Sequence, residues 1–150
     1  FKVLWPEEKE GNLAAVWYGK GDAKVLGEYS GDVNQISVVM RLSFGEFTAM
    51  FTGDLGEKEE QALLRMGVIM PVQVLKVAHH GSKYSSSEDF VKAVRPRLAV
   101  VEVGKNNSYG HPSGDVTKRF DVVGSRVLRT DNDGDVVIVS DGKKWWLDGR

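Results

Sequence analysis

The chain has 150 residues, 41% of them hydrophobic, which fits one domain able to bury roughly two thirds of the surface its unfolded chain exposes. A formal charge of -1 lacks the basic balance that marks a general binder of nucleic acid or membrane surface, so any polyanion contact has to be local. With no cysteine, disulfides, thiolate metal sites and cysteine nucleophiles are excluded, and metal ligation falls to His, Asp and Glu.

The first predicted element is a strand over Phe1 to Trp5, stopped by Pro6. Its apolar pattern is under way at the first residue and no initiator methionine precedes it, so the sequence reads as a processed chain or an excised fragment. "EEKEG" is a solvated polar turn, and the apolar run Leu13 to Tyr18 leads into the glycine-punctuated "GKGDAKVLGEYSGD". Those glycines lack the spacing of a phosphate-binding fingerprint, and a flexible loop or irregular hairpin is the better reading. "QISVVMRLSFGEFTAMFTGD" then alternates Ile36, Val38, Met40 and Leu42, turns near Gly45 and resumes with Phe47, Ala49 and Phe51, the period-two pattern of an antiparallel hairpin with one buried face.

"GEKEEQALLRMG" predicts a short amphipathic helix with acids in its first turn, Ala62, Leu63 and Met66 on one face and Gly67 as its stop. "VQVLKVA" is a near-continuous apolar strand, "SSSEDFVKAV" a serine-capped helix and "RLAVVEVG" another strand. "HPSGDVTKRF" opens a helix through Pro112, and "SRVLRT", "DVVIVS" and "KWWLD" are short strands parted by Asp, Asn and Gly turns. The rhythm of strand and helix is that of a layered α/β unit forming a single domain over 1–150. No apolar run approaches the roughly 20 residues of a membrane span, and no basic leader with a cleavable apolar segment starts the chain.

Polar residues of metal-binding type directly follow three predicted strands: Asp54 in "FTGD", His79 and His80 in "VAHHGS", and His111 in "VGKNNSYGHP". Ligand sites collect at strand ends in layered α/β folds, where loops converge on a rigid support. All three histidines of the chain fall at such ends. An aspartate with neutral imidazoles suits Zn²⁺, Mn²⁺ or Fe, and a carboxylate can bridge two such ions. Ser82 and the "SSS" run offer hydroxyls and amides to a phosphate, or simple capping of the helix they open. Asn106 and Asn107 shape the loop that presents His111, since Asn accepts left-handed backbone angles. Of the scattered lysines and arginines, only Lys83 and Lys105 flank the histidine loops.

"FTGDLGEKEEQALL", "VLKVAHHGSKYSSSEDFVKAVRPRLAVVEVGKNNSYGHPSGDVTKRF" and "VLRTDNDGDVVI" together resemble the C-terminal metallo-β-lactamase-like domain of the ComEC family, the channel proteins of DNA uptake in natural transformation. The resemblance runs from about Val33 to Val139, with "VLWP" a weaker echo. It implies half of an αββα sandwich, a mixed β-sheet with short flanking helices. It further implies a dinuclear Zn or Mn site, hydrolysis of phosphodiester bonds in a DNA strand, membrane spans elsewhere in the full-length protein, and a place on the extracytoplasmic face of the membrane. By the same resemblance Asp54 corresponds to the metal-bridging aspartate and His111 to the last histidine ligand. His79 and His80 correspond to phosphate contact or general acid work, with ligation the lesser option.

One departure qualifies all of this. The family's "HxHxDH" motif is missing, which removes four ligands and leaves only the second half of the domain. A site with two or three protein ligands holds metal weakly or not at all. The expectation is an inactive portion of a DNA-directed, metal-dependent phosphodiesterase that needs its N-terminal half or covers its open face by self-association. The alternative is a binding or structural module that has lost its metal site.

Overall fold

The computed structural model describes residues 2–5, 16–18, 22–24 and 37–149. Its main sheet has six strands in the order β1 (Lys2–Trp5), β4 (Val39–Phe44), β5 (Phe47–Phe51), β6 (Val74–Lys76), β7 (Leu98–Val101) and β8 (Arg126–Arg129). β1, β4 and β5 pair antiparallel, whereas β5, β6, β7 and β8 run parallel. A small hairpin joins β2 (Val16–Tyr18) to β3 (Asp22–Lys24), and a second joins β9 (Val137–Ser140) to β10 (Trp145–Asp148). The mixed sheet with short helices is the α/β class the sequence implies. Phe1, Pro6, the "EEKEG" turn, Leu13 to Ala15 and Ile36 lie outside the described residues.

The parallel half follows from its crossovers. α1 (Glu57–Arg65) connects β5 to β6, α2 (Glu88–Val94) connects β6 to β7, and α3 (Gly114–Val122) connects β7 to β8. Parallel neighbours need such connections, and three in succession leave four consecutive strands with their C-terminal ends on one edge. β6 and β7 read as near-continuous apolar runs because both of their faces are covered. Leu75, Ala99 and Val101 join Phe90, Phe120 and Leu63 in the core under the helices, whereas Val74, Leu98 and Val100 join Phe47, Ala49 and Leu128 in a smaller core under β9 and β10. Each fully buried Phe or Leu contributes about 1.5–3 kcal/mol by leaving water.

Two sequence expectations shift. In β4 the residue sealed in the helix-side core is Val39, at 0% exposure, while Val38 stays 40% exposed and Met40 half-buried. "SVVM" sets two valines side by side, so alternation alone did not decide which faced the helices. In α1 the buried stripe carries Glu59, Glu60 and Leu63, and Met66 is exposed. The turns of the β4–β5 and β9–β10 hairpins also meet. Gly45, at φ 58°, brings its backbone so near Gly142 that a Cβ there would lie 2.2 Å from the Gly142 carbonyl oxygen, so no larger residue fits.

Candidate functional site

The four residues singled out in the sequence lie on the edge where the parallel strands end. Thr52 is fully buried and its hydroxyl donates to the Lys76 carbonyl at 2.7 Å, which ties the exit of β5 to that of β6. Past it, the Asp54 amide donates to Ser37 Oγ at 3.0 Å and the Gly53 carbonyl accepts from the His79 amide at 3.0 Å. The Asp54 carboxylate therefore stands directly before the histidine turn.

Ala78–Gly81 forms one turn of 3-10 type, with His79 and His80 both left-handed at φ 48° and 54°. Each such non-glycine residue costs of order 1–3 kcal/mol and persists only where its surroundings over-determine it. The surroundings do so here. The Gly81 carbonyl accepts from the Ser113 amide at 2.8 Å, and a Cβ on Gly81, at φ 80°, would lie 2.5 Å from Pro112 Cβ. The histidine turn is thus wedged against the start of α3 and against the chain that carries His111.

The His80 ring accounts for itself atom by atom. Nδ1 is 2.7 Å from the Glu102 carbonyl oxygen. A carbonyl can only accept, so Nδ1 carries the proton of that bond. Nε2 then lies 3.6 Å from Asp54 Oδ1, with the two side chains 45% and 39% exposed. A neutral ring directs a lone pair at the carboxylate, an arrangement satisfied by a shared cation or a donating water, or by a second proton on the ring. A backbone carbonyl on the far nitrogen is the usual support for a metal-ligating histidine.

His79 and His111 form the second pair, edge to face with ring centroids 6.1 Å apart. Asn107 frames His111, its Oδ1 accepting the His111 amide at 2.9 Å while its Nδ2 donates to the His111 carbonyl at 3.0 Å; it shapes the loop through its side chain, and neither Asn106 nor Asn107 takes the left-handed backbone expected of them. Tyr109, 82% exposed, stacks on the His111 ring at 5.9 Å. Burial holds the His111 imidazole below the ordinary histidine range, and His79 and His80 push it the same way. Among the described residues no group of three His, Asp or Glu side chains is placed to hold one ion. The residues thus fit part of a ligand shell: one carboxylate and one imidazole in reach of each other, with two further imidazoles beside them.

Sequence reasoning missed the exit of β8. Thr130 Oγ1 accepts the Val103 amide at 2.7 Å and donates to the Val103 carbonyl at 2.8 Å, joining the exits of β7 and β8. Arg129 grips Asp131 through two hydrogen bonds of 3.0 and 2.6 Å, and this guanidinium holds the Asp131 carboxyl below the usual range. The rule that found the histidines, polar residues just past a strand, applies equally to "RTDND". The serine run departs from simple capping, for the amides of Ser86 and Ser87 donate to the Glu60 carboxylate at 2.5 and 2.8 Å. No serine side chain caps α2, and the two amides just ahead of the helix are taken by a carboxylate from α1.

No protein-family model matches the chain. It is 38% identical over 103 residues to ComE operon protein 3 of Bacillus subtilis (strain 168), 69% of this chain and 13% of that protein. It is 41% identical over 104 residues to competence protein ComA of Neisseria gonorrhoeae, 69% of this chain and 15% of that protein. Recombination protein 2 of Haemophilus influenzae is 35% identical over 103 residues, 69% of this chain and 13% of that protein. The aligned segment is thus most of this chain but a small part of each relative. Over that shared segment the chain belongs with the ComEC family of competence proteins, as its motifs imply.

Proposed function

We propose that this chain is part of a metal-dependent phosphodiesterase that acts on DNA during uptake. The observation that carries the reading is the pairing of Asp54 with His80, whose Nδ1 is spent on the Glu102 carbonyl so that Nε2 is left facing the carboxylate. Asp54 and His111 would hold metal. The same geometry favours His80 as a further ligand and leaves His79 for contact with the scissile phosphate or for proton donation. When bound, divalent ions would activate a water and offset phosphoryl charge. What the chain itself does is positional: the left-handed turn presents His80 to Asp54 and His79 to His111, and Asn107 holds the backbone of His111.

The remaining donors would come from a stretch of protein that supplies the missing histidine-rich motif. The expected result is that the 150-residue chain alone leaves single- and double-stranded DNA intact in millimolar Mn²⁺, while a longer protein that includes this stretch cleaves DNA and loses cleavage on Asp54→Ala. Cleavage by the longer protein that survives Asp54→Ala would overturn the assignment. A second reading, a binding or structural module without catalysis, is favoured by the division of the residues into two pairs instead of one cluster. A longer protein with the full motif and no metal-dependent cleavage would support it.

A further inference from the structure

Glu60 is one of the acids in the first turn of α1, yet its side chain is wholly buried. Burial pushes its carboxyl above the usual range, while the Ser87 and Ser86 groups it bonds pull the other way. Nothing in the candidate site uses it directly, and a helix start can be capped far more simply by its own serine.

The two peptide units it meets explain the placement. The Ser85–Ser86 unit gives its N–H to Glu60 Oε1 at 2.5 Å and takes a hydrogen bond at its carbonyl from Arg119 Nη1 at 3.2 Å. The Ser86–Ser87 unit gives its N–H to Glu60 Oε2 at 2.8 Å and accepts from the same Arg119 nitrogen at 2.8 Å. Two consecutive peptide dipoles are thus held between a carboxylate from α1 at their positive ends and a guanidinium from α3 at their negative ends. Charge-assisted bonds at both ends of one peptide polarise it in the same sense and strengthen one another. The residue between them, Ser86, is left-handed at φ 53°, a conformation that needs such support.

The next link reaches the histidines. Ser85 is 1% exposed, and its hydroxyl lies 3.0 Å from the Ala78 carbonyl and 2.9 Å from the Ser82 carbonyl. The Ala78 carbonyl belongs to the peptide that enters His79, and the Ser82 amide closes the turn by donating to the His79 carbonyl at 2.9 Å. We infer that Glu60 and Arg119 are positioning residues, a paired clamp acting through two backbone peptides that sets the left-handed turn of His79 and His80. The inference rests on the reading that this turn carries the site, but its test reads imidazole geometry, not cleavage, so either can fail without the other.

The experiment records imidazole and backbone amide signals of the 150-residue chain by NMR in wild type, Glu60→Gln, Arg119→Gln and the double variant. Leu63→Ala, which opens a cavity in the same helix, serves as the control for lost stability alone. Each single variant is expected to move the His79 and His80 signals in the same pattern and to raise hydrogen exchange at Ser86 and Ser87 at least about tenfold. The double variant is expected to go no further than the larger single one, since removing either charge releases the same peptides. Leu63→Ala is expected to lower stability and leave the imidazole signals in place. Arg119 is only partly buried, so Arg119→Gln keeps the test open if Glu60→Gln does not fold. Unmoved His79 and His80 signals in folded Arg119→Gln, shifts that simply add in the double variant, or equal shifts in Leu63→Ala would overturn the clamp.

Discussion

On the helix side of the main sheet, Val39, Met50, Leu75, Ala99 and Val101 are shut from solvent beneath α1, α2 and α3. On the other side, among the described residues, the β9–β10 hairpin covers only part of the sheet. Phe51 stays 38% exposed, and a cleft of about 310 Å³ opens beside it, lined by Leu42, Val74, Lys76, Val100 and Ile138. Among the described residues, the same six strands are therefore closed over on one face and only partly covered on the other. The loops of the candidate site are braced from the closed side, through Thr52, the serine run and Pro112. The difference teaches that the loops carrying Asp54 and the histidines take their bracing from the closed face of the sheet and owe little to the other.

The largest expected effect separates the faces by stability. Phe120→Ala, in the closed core, should lower unfolding free energy by about 3–5 kcal/mol in urea titration, whereas Phe51→Ala should change it by less than about 1 kcal/mol. Equal losses would mean that the exposed face is packed in solution. A second contrast concerns the loops. Gly81→Ala has to place a Cβ 2.5 Å from Pro112 in a left-handed residue, and should cost about 2–3 kcal/mol, while Gly67→Ala, left-handed with no atom within 4 Å, should cost about 1 kcal/mol. Chemical denaturation of the two variants checks the ratio.

The uncovered face also predicts self-association, measured as a rise in sedimentation coefficient with concentration and reversed by Phe51→Lys. A monomer at high concentration that binds no hydrophobic dye would count against an uncovered face. The smallest effect is electrostatic. Because Arg129 depresses the folded-state pKa of Asp131, the stability this pair gives is present above pH 3.8 and is lost as pH falls through the folded value. Burial acts on Glu60 in the opposite sense: ionising it within the fold costs stability as pH rises from 4.5 through its folded value, a cost that its bonds to Ser86 and Ser87 offset in part. Asp131→Asn should flatten the acid limb of a stability profile, and Glu60→Gln the fall above it.

Much of this was legible in the sequence because it follows from local pattern. The β4–β5 hairpin announced itself by alternation about Gly45, and the order of β6, α2 and β7 by apolar runs broken by a helical period. The meeting of Asp54 with His80 followed from strand ends alone, since parallel strands share an edge. What escaped depends on tertiary neighbours. Nothing local says that His79 and His80 are left-handed, for one of the supports of that turn, the wedge of Gly81 on Pro112, comes from a residue some thirty positions on. Glu60 looked like any acid at a helix start, and only the arrival of Ser86 and Ser87 makes it a buried acceptor.

The central claim, that Asp54, His79, His80 and His111 form one site on a shared edge, is tested most directly by paramagnetic broadening with Mn²⁺. The chain has only three histidines, so each imidazole can be followed by NMR as the ion is added. All three should broaden together in the wild type and recover together in Asp54→Ala, while the methyl group of exposed Met70, just before β6 on the opposite edge, stays sharp. Broadening confined to a single histidine, or undiminished in Asp54→Ala, would contradict a common site.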